Sequence, residues 1–324
     1  MEVIRESDVG TFRLGASVVS IGTYDGIHLG HRHVMAQLKE RADQERLPPV
    51  VVTFDRHPLS VVRPGSEPLQ LTTLTQRLEL LGSLGISYAY VLEFDERRAR
   101  ESAEDFIDRV LIETLGARTV LVGEDFRFGH GRRGDLAMIS ERGQRVGLSA
   151  QPVSLLRVGE VLGDAHRDAT LPVSSTLIRG YLADGILDDA NRLLGRDYVV
   201  RGTVSSGDHR GGDELGYPTA NLTIPPGLAV PADGVYAGAL IVEGSEMVAA
   251  ISVGTRPTYY PRGGPRLIES FVLDYSGDLY GQEVEVVFRQ FLRRQETFSS
   301  TDALIHQIDE DVRRVRASFP AQEA

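Results

Sequence analysis

The sequence predicts a parallel α/β domain followed by an antiparallel β-barrel closed by a helix. Between residues 17 and 183, short apolar and β-branched runs alternate with longer helix-like stretches, the pattern of parallel strands joined by crossover helices. After Arg196 the texture changes to short β-type runs separated by Gly, Pro and Asp. The 324 residues, 41% hydrophobic and 25% charged, have an ordinary globular composition and a length that suits about two domains. The change of texture between Gly185 and Gly195 places the domains at 1–186 and 187–324.

In the first domain strands are expected at 17–21, 50–54, 88–92, 118–122 and 150–153. Helices are expected at 31–42, around 75–84, at 103–115 behind an acidic first turn, at 136–142, and at 175–183 behind Ser174 as N-cap. The second domain offers YVVRGTV, GYPTANL, GVYAGALIV, MVAAISVG, RLIESFVLDY and VEVVFRQFL as strands, then a helix over 301–318. No internal repeat or low-complexity tract interrupts either part.

Charge and composition exclude several classes of function. With 46 acidic against 35 basic side chains the net charge is −11, which argues against a nucleic-acid binder, whose affinity comes from clustered Lys and Arg. Without cysteine there are no disulfides, thiolate metal sites or cysteine nucleophiles. Lys39 is the sole lysine and lies in QLKER, so a P-loop and the strand lysine of protein kinases are both excluded, and nucleotide chemistry needs another phosphate cradle. The N-terminus does not resemble a secretory signal, and no apolar run approaches a membrane span, so a soluble, cytoplasmic protein is expected. The sequence is compatible with an oligomer.

The segment SVVSIGTYDGIHLGHRHVM runs from a strand through a glycine-rich turn into a helix. Gly22, Gly26 and Gly30 allow close backbone approach, and the helix N-terminus supplies amide donors and partial positive charge. His28 and His31, placed there, suit phosphate oxygens that gain charge during a transfer. The plainer alternatives are a surface histidine pair or a zinc site, for which neither His33 nor His57 falls at a recognisable third-ligand spacing. Further polar clusters follow other strands: Thr53, Asp55 and His57; Glu124 to Gly129; and Ser174, Ser175, Thr176 with Arg179. Such strand ends form the ligand crevice of an open parallel sheet, although each residue alone also reads as a cap or a solvated charge.

Taken together, G-T-Y-D-G-I-H-L-G-H, T-F-D-R-H-P, G-E-D-F-R-F-G and S-S-T-L-I-R resemble, in this order, the nucleotidylyltransferase module of prokaryotic bifunctional riboflavin kinase/FAD synthetases. The resemblance implies a Rossmann-like domain in which His28 and His31 act on the ATP phosphates and leaving pyrophosphate. It further implies that Gly22, Asp25, Gly30, Ser175, Thr176 and Arg179 hold phosphate, and that Asp55, Asp125, Phe126, Arg127 and Phe128 face the flavin. Arg56 departs from the family, which commonly has Pro there.

In the second domain RGTVSSGDHRGGDELGYPTANL joins a glycine-rich loop to a Pro-Thr-Ala-Asn turn. Backbone amides of Gly207, Gly211 and Gly212 suit phosphates, and Thr219 and Asn221 are neutral oxygen ligands suited to Mg²⁺; glycine content alone equally fits a long hairpin loop. G-x-x-L-G-Y-P-T-A-N, S-V-G-T-x-P-T, I-E-S-F-V-L-D and D-L-Y-G resemble the riboflavin kinase module of the same family across nearly all the chain after residue 196. Glu269, by spacing either an exposed alternate strand position or a base in a cleft, then takes the role of proton acceptor from the ribityl 5′-hydroxyl. Arg256 and Tyr259-Tyr260 depart from the family pattern.

The resulting expectation is an enzyme of FAD biosynthesis with riboflavin, FMN and ATP as substrates and Mg²⁺ as cofactor. Retention of a single activity and a non-catalytic flavin sensor are the alternatives. Separate assays of FMN and FAD formation discriminate the first, and the retained His28, His31, Thr219, Asn221 and Glu269 speak against the second.

Overall fold

The computed structural model describes residues 1–8, 12–205, 219–254, 266–275 and 277–319. They form two compact units, Met1–Ser175 and Thr176–Ala324. The expected boundary after residue 186 falls inside the second unit, between two helices of that unit.

The first unit is a six-stranded sheet: β1 (Glu2–Arg5), β2 (Ser17–Ile21), β3 (Pro49–Phe54), β4 (Tyr88–Leu92), β5 (Ala117–Gly123) and β6 (Ser149–Val153). The order is β1-β4-β3-β2-β5-β6 and every pairing is parallel. Both faces of the inner strands β2 to β5 are buried, which is why they read as largely apolar runs. Val18, Val51 and Leu121 face one side with Val34, Met35 and Leu38 of α1 (Leu29–Glu45). Val19, Ile21, Val50 and Val52 face the other, with Phe106, Ile107 and Leu111. The predicted helix over 103–114, α3, starts in α form (Ala103–Phe106) and continues in π form (Ile107–Thr114). Helix α2 (Leu74–Ser83) starts from a complete capping box between Thr73 and Gln76, and α4 spans Leu136–Gly143. Because β2 lies centrally between β3 and β5, the connections leaving its two sides diverge and open a crevice at its carboxyl end.

The second unit starts at Thr176, within α5 (Ser175–Asp184), and continues with α6 (Leu187–Leu194). Six antiparallel strands follow: β7 (Tyr198–Ser205), β8 (Ala220–Thr223), β9 (Gly234–Val242), β10 (Ser245–Gly254), β11 (Leu267–Val272) and β12 (Glu283–Arg293). They close in the order β10-β11-β8-β7-β12-β9 around buried Tyr198, Tyr236 and Phe288. The predicted terminal helix is α7 (Thr301–Ser318), tied to β12 by a buried pair in which Arg293 donates to Asp311 at 2.7 Å.

Candidate active sites

In the first unit, β2 ends at Ile21 and the chain turns into α1 at the carboxyl end of the sheet. Several side chains fasten this turn. Asp25 is 2% exposed, and its carboxylate accepts from the backbone N–H groups of Leu71 (2.8 Å) and Thr72 (3.1 Å). The Gly26 N–H donates to Thr72 Oγ1 at 3.1 Å, the Thr53 hydroxyl to the Thr23 carbonyl at 3.3 Å, and the Ser175 hydroxyl to the Asp25 carbonyl at 2.8 Å. These bonds hold two non-glycine residues in the left-handed region, Tyr24 (φ 48°) and Ile27 (φ 41°). Such residues store strain of ~1–3 kcal/mol each and persist where the surroundings over-determine them. Gly22, next to Tyr24, donates its N–H to the Val52 carbonyl at 3.1 Å.

His28 caps α1, its Nδ1 accepting from the His31 N–H at 3.3 Å, so the proton of its neutral ring sits on Nε2. The two imidazoles stack with centroids 3.6 Å apart, and Tyr24 stands edge-on to His31. Gly30 makes the stack possible: a Cβ there would lie 3.1 Å from the His28 ring and 3.0 Å from the Val173 carbonyl oxygen. Burial, and after it the positive charge of Arg77, push His31 down to about 3, so the ring is neutral at pH 7. Two imidazoles at a helix N-terminus offer N–H donors that suit the negative charge growing on a leaving phosphate.

Asp55, at the end of β3, accepts from the Phe94 N–H and from Arg56, both at 2.9 Å. Asp55 and Arg56 line a cavity of about 340 Å³ together with Arg5, Glu93 and Asp95. Beyond β5, Asp125 and Arg127 are exposed, whereas Phe126 and Phe128 stack at 5.5 Å and pack on the sheet core. Sequence reasoning passed over Arg77. Its signal was available: Leu74, Arg77, Leu78 and Leu81 fall at i, i+3, i+4 and i+7, so an arginine occupies the apolar face of α2.

In the second unit, Thr176 Oγ1 accepts from Arg179 at 3.2 Å in the first turn of α5. The barrel register places Asn221 of β8 directly opposite Glu269 of β11, and Ser252 of β10 opposite Glu269 on its other side. Directly paired residues share a face, so Ser252, Glu269 and Asn221 form a polar row. Their neighbours Ile268, Ser270 and Val272 point the other way and are buried. Gln295 donates to Ser252 Oγ at 3.0 Å, and Asn221 Nδ2 to the Thr219 carbonyl at 3.4 Å. Among the described residues no three His, Cys, Asp or Glu side chains gather to hold a metal. The row with Thr219 beside it is instead a set of hard oxygen donors, which fits Mg²⁺ held jointly with phosphate oxygens. Gly207, Gly211, Gly212, Arg256, Tyr259 and Tyr260 lie outside the described residues.

Two family models match the chain: FAD synthetase over residues 13–162, and riboflavin kinase over residues 194–319. The bifunctional riboflavin kinase/FMN adenylyltransferase of Escherichia coli K12 is 34% identical over 303 residues, covering 93% of this chain and 92% of the relative. The protein of the same name from Pseudomonas fluorescens is 35% identical over 300 residues, with coverage of 93% and 92%. A crystal structure described as a macrolide-efflux protein from Streptococcus pneumoniae superposes with a TM-score of 0.81 at 29% identity, covering 98% of this chain and 99% of the neighbour. Among the described residues of this chain no helix is long and apolar enough to cross a membrane. With relatives above 30% identity along nearly its whole length, and with both family models in the same order as its two units, the chain belongs to the bifunctional riboflavin kinase/FMN adenylyltransferase family.

Proposed function

We propose that the second unit phosphorylates riboflavin with ATP through Glu269 and that the first unit transfers AMP from a second ATP to FMN through His28 and His31. In the kinase step the ribityl 5′-hydroxyl attacks the γ-phosphorus, its proton passes to the Glu269 carboxylate, and ADP leaves. Asn221, opposite Glu269, and Thr219 are the residues that would hold Mg²⁺, which when bound offsets the phosphate charge. In the adenylylation step a phosphate oxygen of FMN attacks the α-phosphorus of ATP and pyrophosphate leaves. His28 and His31 donate to the departing oxygens, while the backbone amides of Gly30 and the α1 N-terminus receive the phosphates; the Gly22 amide already donates to the Val52 carbonyl, so Gly22 contributes only its small size.

Asp25 acts behind this surface by holding the 71–72 backbone, and Ser175 supports the Asp25 carbonyl. Thr176 and Arg179 bind phosphate, and Asp55, Asp125, Phe126, Arg127 and Phe128 take the flavin side. The observation that carries the reading is the stacked histidine pair at the N-terminus of α1. The net charge of −11 supports small molecules rather than nucleic acid as partners, and use of ATP supports a cytoplasmic location. Incubation with riboflavin, ATP and Mg²⁺ followed by chromatography tests it: FMN should form first and FAD second. Accumulation of FMN without FAD overturns the role given to the first unit.

A further inference from the structure

Arg77 is 3% exposed, on the buried face of α2. Its Nη1 donates to Thr53 Oγ1 at 3.2 Å and to the Phe54 carbonyl at 3.0 Å, while its Nε is buried with no partner. Among the described residues it makes no ion pair. Asp25 and Asp55 attract it through space, yet both carboxylates accept from other donors: Asp25 from the Leu71 and Thr72 amides, Asp55 from Phe94 and Arg56. An arginine buried without a bonded carboxylate is costly, and a guanidinium is the cation best suited to phosphate oxygens.

Its surroundings locate it. The charge acts on His31 and Asp25 of the 22–31 loop and on Asp55 at the end of β3, so it sits between the histidine loop and the neighbouring strand end. Thr53, which receives Arg77, itself donates to the Thr23 carbonyl, so the charge and the loop are fastened to one another. Of the other charges near the site, Arg32 in the first turn of α1 is half-buried with an unpartnered Nε, and the rest are committed, solvated or neutral. Arg56 is paired with Asp55, Arg127 is exposed and donates to the Phe126 carbonyl, and His31 is neutral. With no P-loop lysine in the sequence, a polyphosphate bound at the α1 N-terminus has Arg77 as a buried, pre-oriented cation, beside the half-buried Arg32 of α1.

We propose that Arg77 is a positioning residue for adenylyl transfer, the buried counter-charge for the polyphosphate that the 22–31 loop receives. It acts through the loop and through space, already oriented before the ligand arrives, so no reorganisation is needed as pyrophosphate departs. The proposal rests on the reading that this loop takes the ATP phosphates.

The test uses the full-length protein and pyrophosphate as probe, with binding read as the shift in thermal unfolding, with and without Mg²⁺. Arg77→Met should bind pyrophosphate roughly a hundredfold more weakly and lose a similar factor in kcat for FAD formation, with riboflavin phosphorylation unchanged. Wild-type pyrophosphate affinity in that variant overturns the proposal. Arg77→Lys decides the matter if Arg77→Met fails to fold. A buried lysine loses its proton far more readily than arginine, so its pyrophosphate affinity should fall relative to wild type between about pH 6 and pH 9. A merely structural Arg77 predicts parallel pH profiles, and that result also overturns the proposal. If wild-type protein shows no pyrophosphate-dependent shift and His28→Ala makes FAD normally, the reading of the loop fails and the proposal falls with it.

Discussion

His28 spends Nδ1 on the first turn of α1, which leaves Nε2 for the proposed phosphate contact. His28→Ala should lower FAD formation by about two orders of magnitude, the scale for one preorganised oxyanion donor, while riboflavin phosphorylation continues. Equal loss of both activities would count against the assignment. His31 carries a separate, pH-dependent signature. Burial, followed by the charge of Arg77, lowers it from its ordinary 6.5 to about 3, so the unfolded chain binds a proton below pH 6.5 that the folded chain refuses. Its contribution to stability is therefore complete above that pH and lost progressively as pH falls toward 3. Unfolding free energies of wild type and His31→Gln, compared at about pH 7 and pH 4, should show the steeper loss in wild type. Identical slopes would refute the shift.

Among the elements, α2 supports the site from behind, since it carries Arg77 and follows the 71–72 backbone that holds Asp25. Its capping box joins the Gln76 N–H to Thr73 Oγ1 at 3.2 Å and the Thr73 N–H to Gln76 Oε1 at 3.0 Å. Thr73→Ala should cost about 1 kcal/mol, visible as a lower urea midpoint for loss of FAD-forming activity. An unchanged midpoint would show that the cap is dispensable.

Strands β2 to β6 and the six barrel strands were legible because apolar runs, or alternation, continue for their whole length. The short helices Leu59–Val62, Glu96–Ala99 and Val158–Leu162, of four or five residues, were not, and neither were β1 and α6. β1 offers only Glu2–Arg5 with a single buried residue, and acquires its strand form from pairing with β4. α6 lies between Gly185 and Gly195, which read as punctuation. Yet Leu187, Ala190, Leu193 and Leu194 make one buried face, and Gly195 closes the helix at φ 68°. The place of the histidine pair at the start of α1 and of Glu269 on a strand was legible in the sequence. Asp25's hold on the 71–72 backbone was not, because partners 46 positions apart meet only once the sheet is assembled.

For the molecule as a whole, the two chemistries differ in their need for a base. An alcohol must lose its proton as it attacks phosphorus, whereas the FMN phosphate is already anionic at neutral pH. Glu269→Gln keeps size and reach but removes basicity, so it should abolish most FMN formation from riboflavin. The same variant supplied with FMN and ATP should make FAD at close to the normal rate. Failure with both substrates would contradict the division of labour between the units. Closure of the barrel leaves it no unpaired rim, but the parallel sheet is protected on one flank by β1 alone, four residues in all. Behind it lies β4, YAYVL, buried at four of its five positions. Its main-chain groups would become a template for other chains if β1 were removed. Deleting residues 1–5 should therefore cost colloidal solubility before it costs chemistry: light scattering should rise with protein concentration while barrel-borne riboflavin phosphorylation persists, so this end of the chain is the wrong place for a trimmed or cleavable tag.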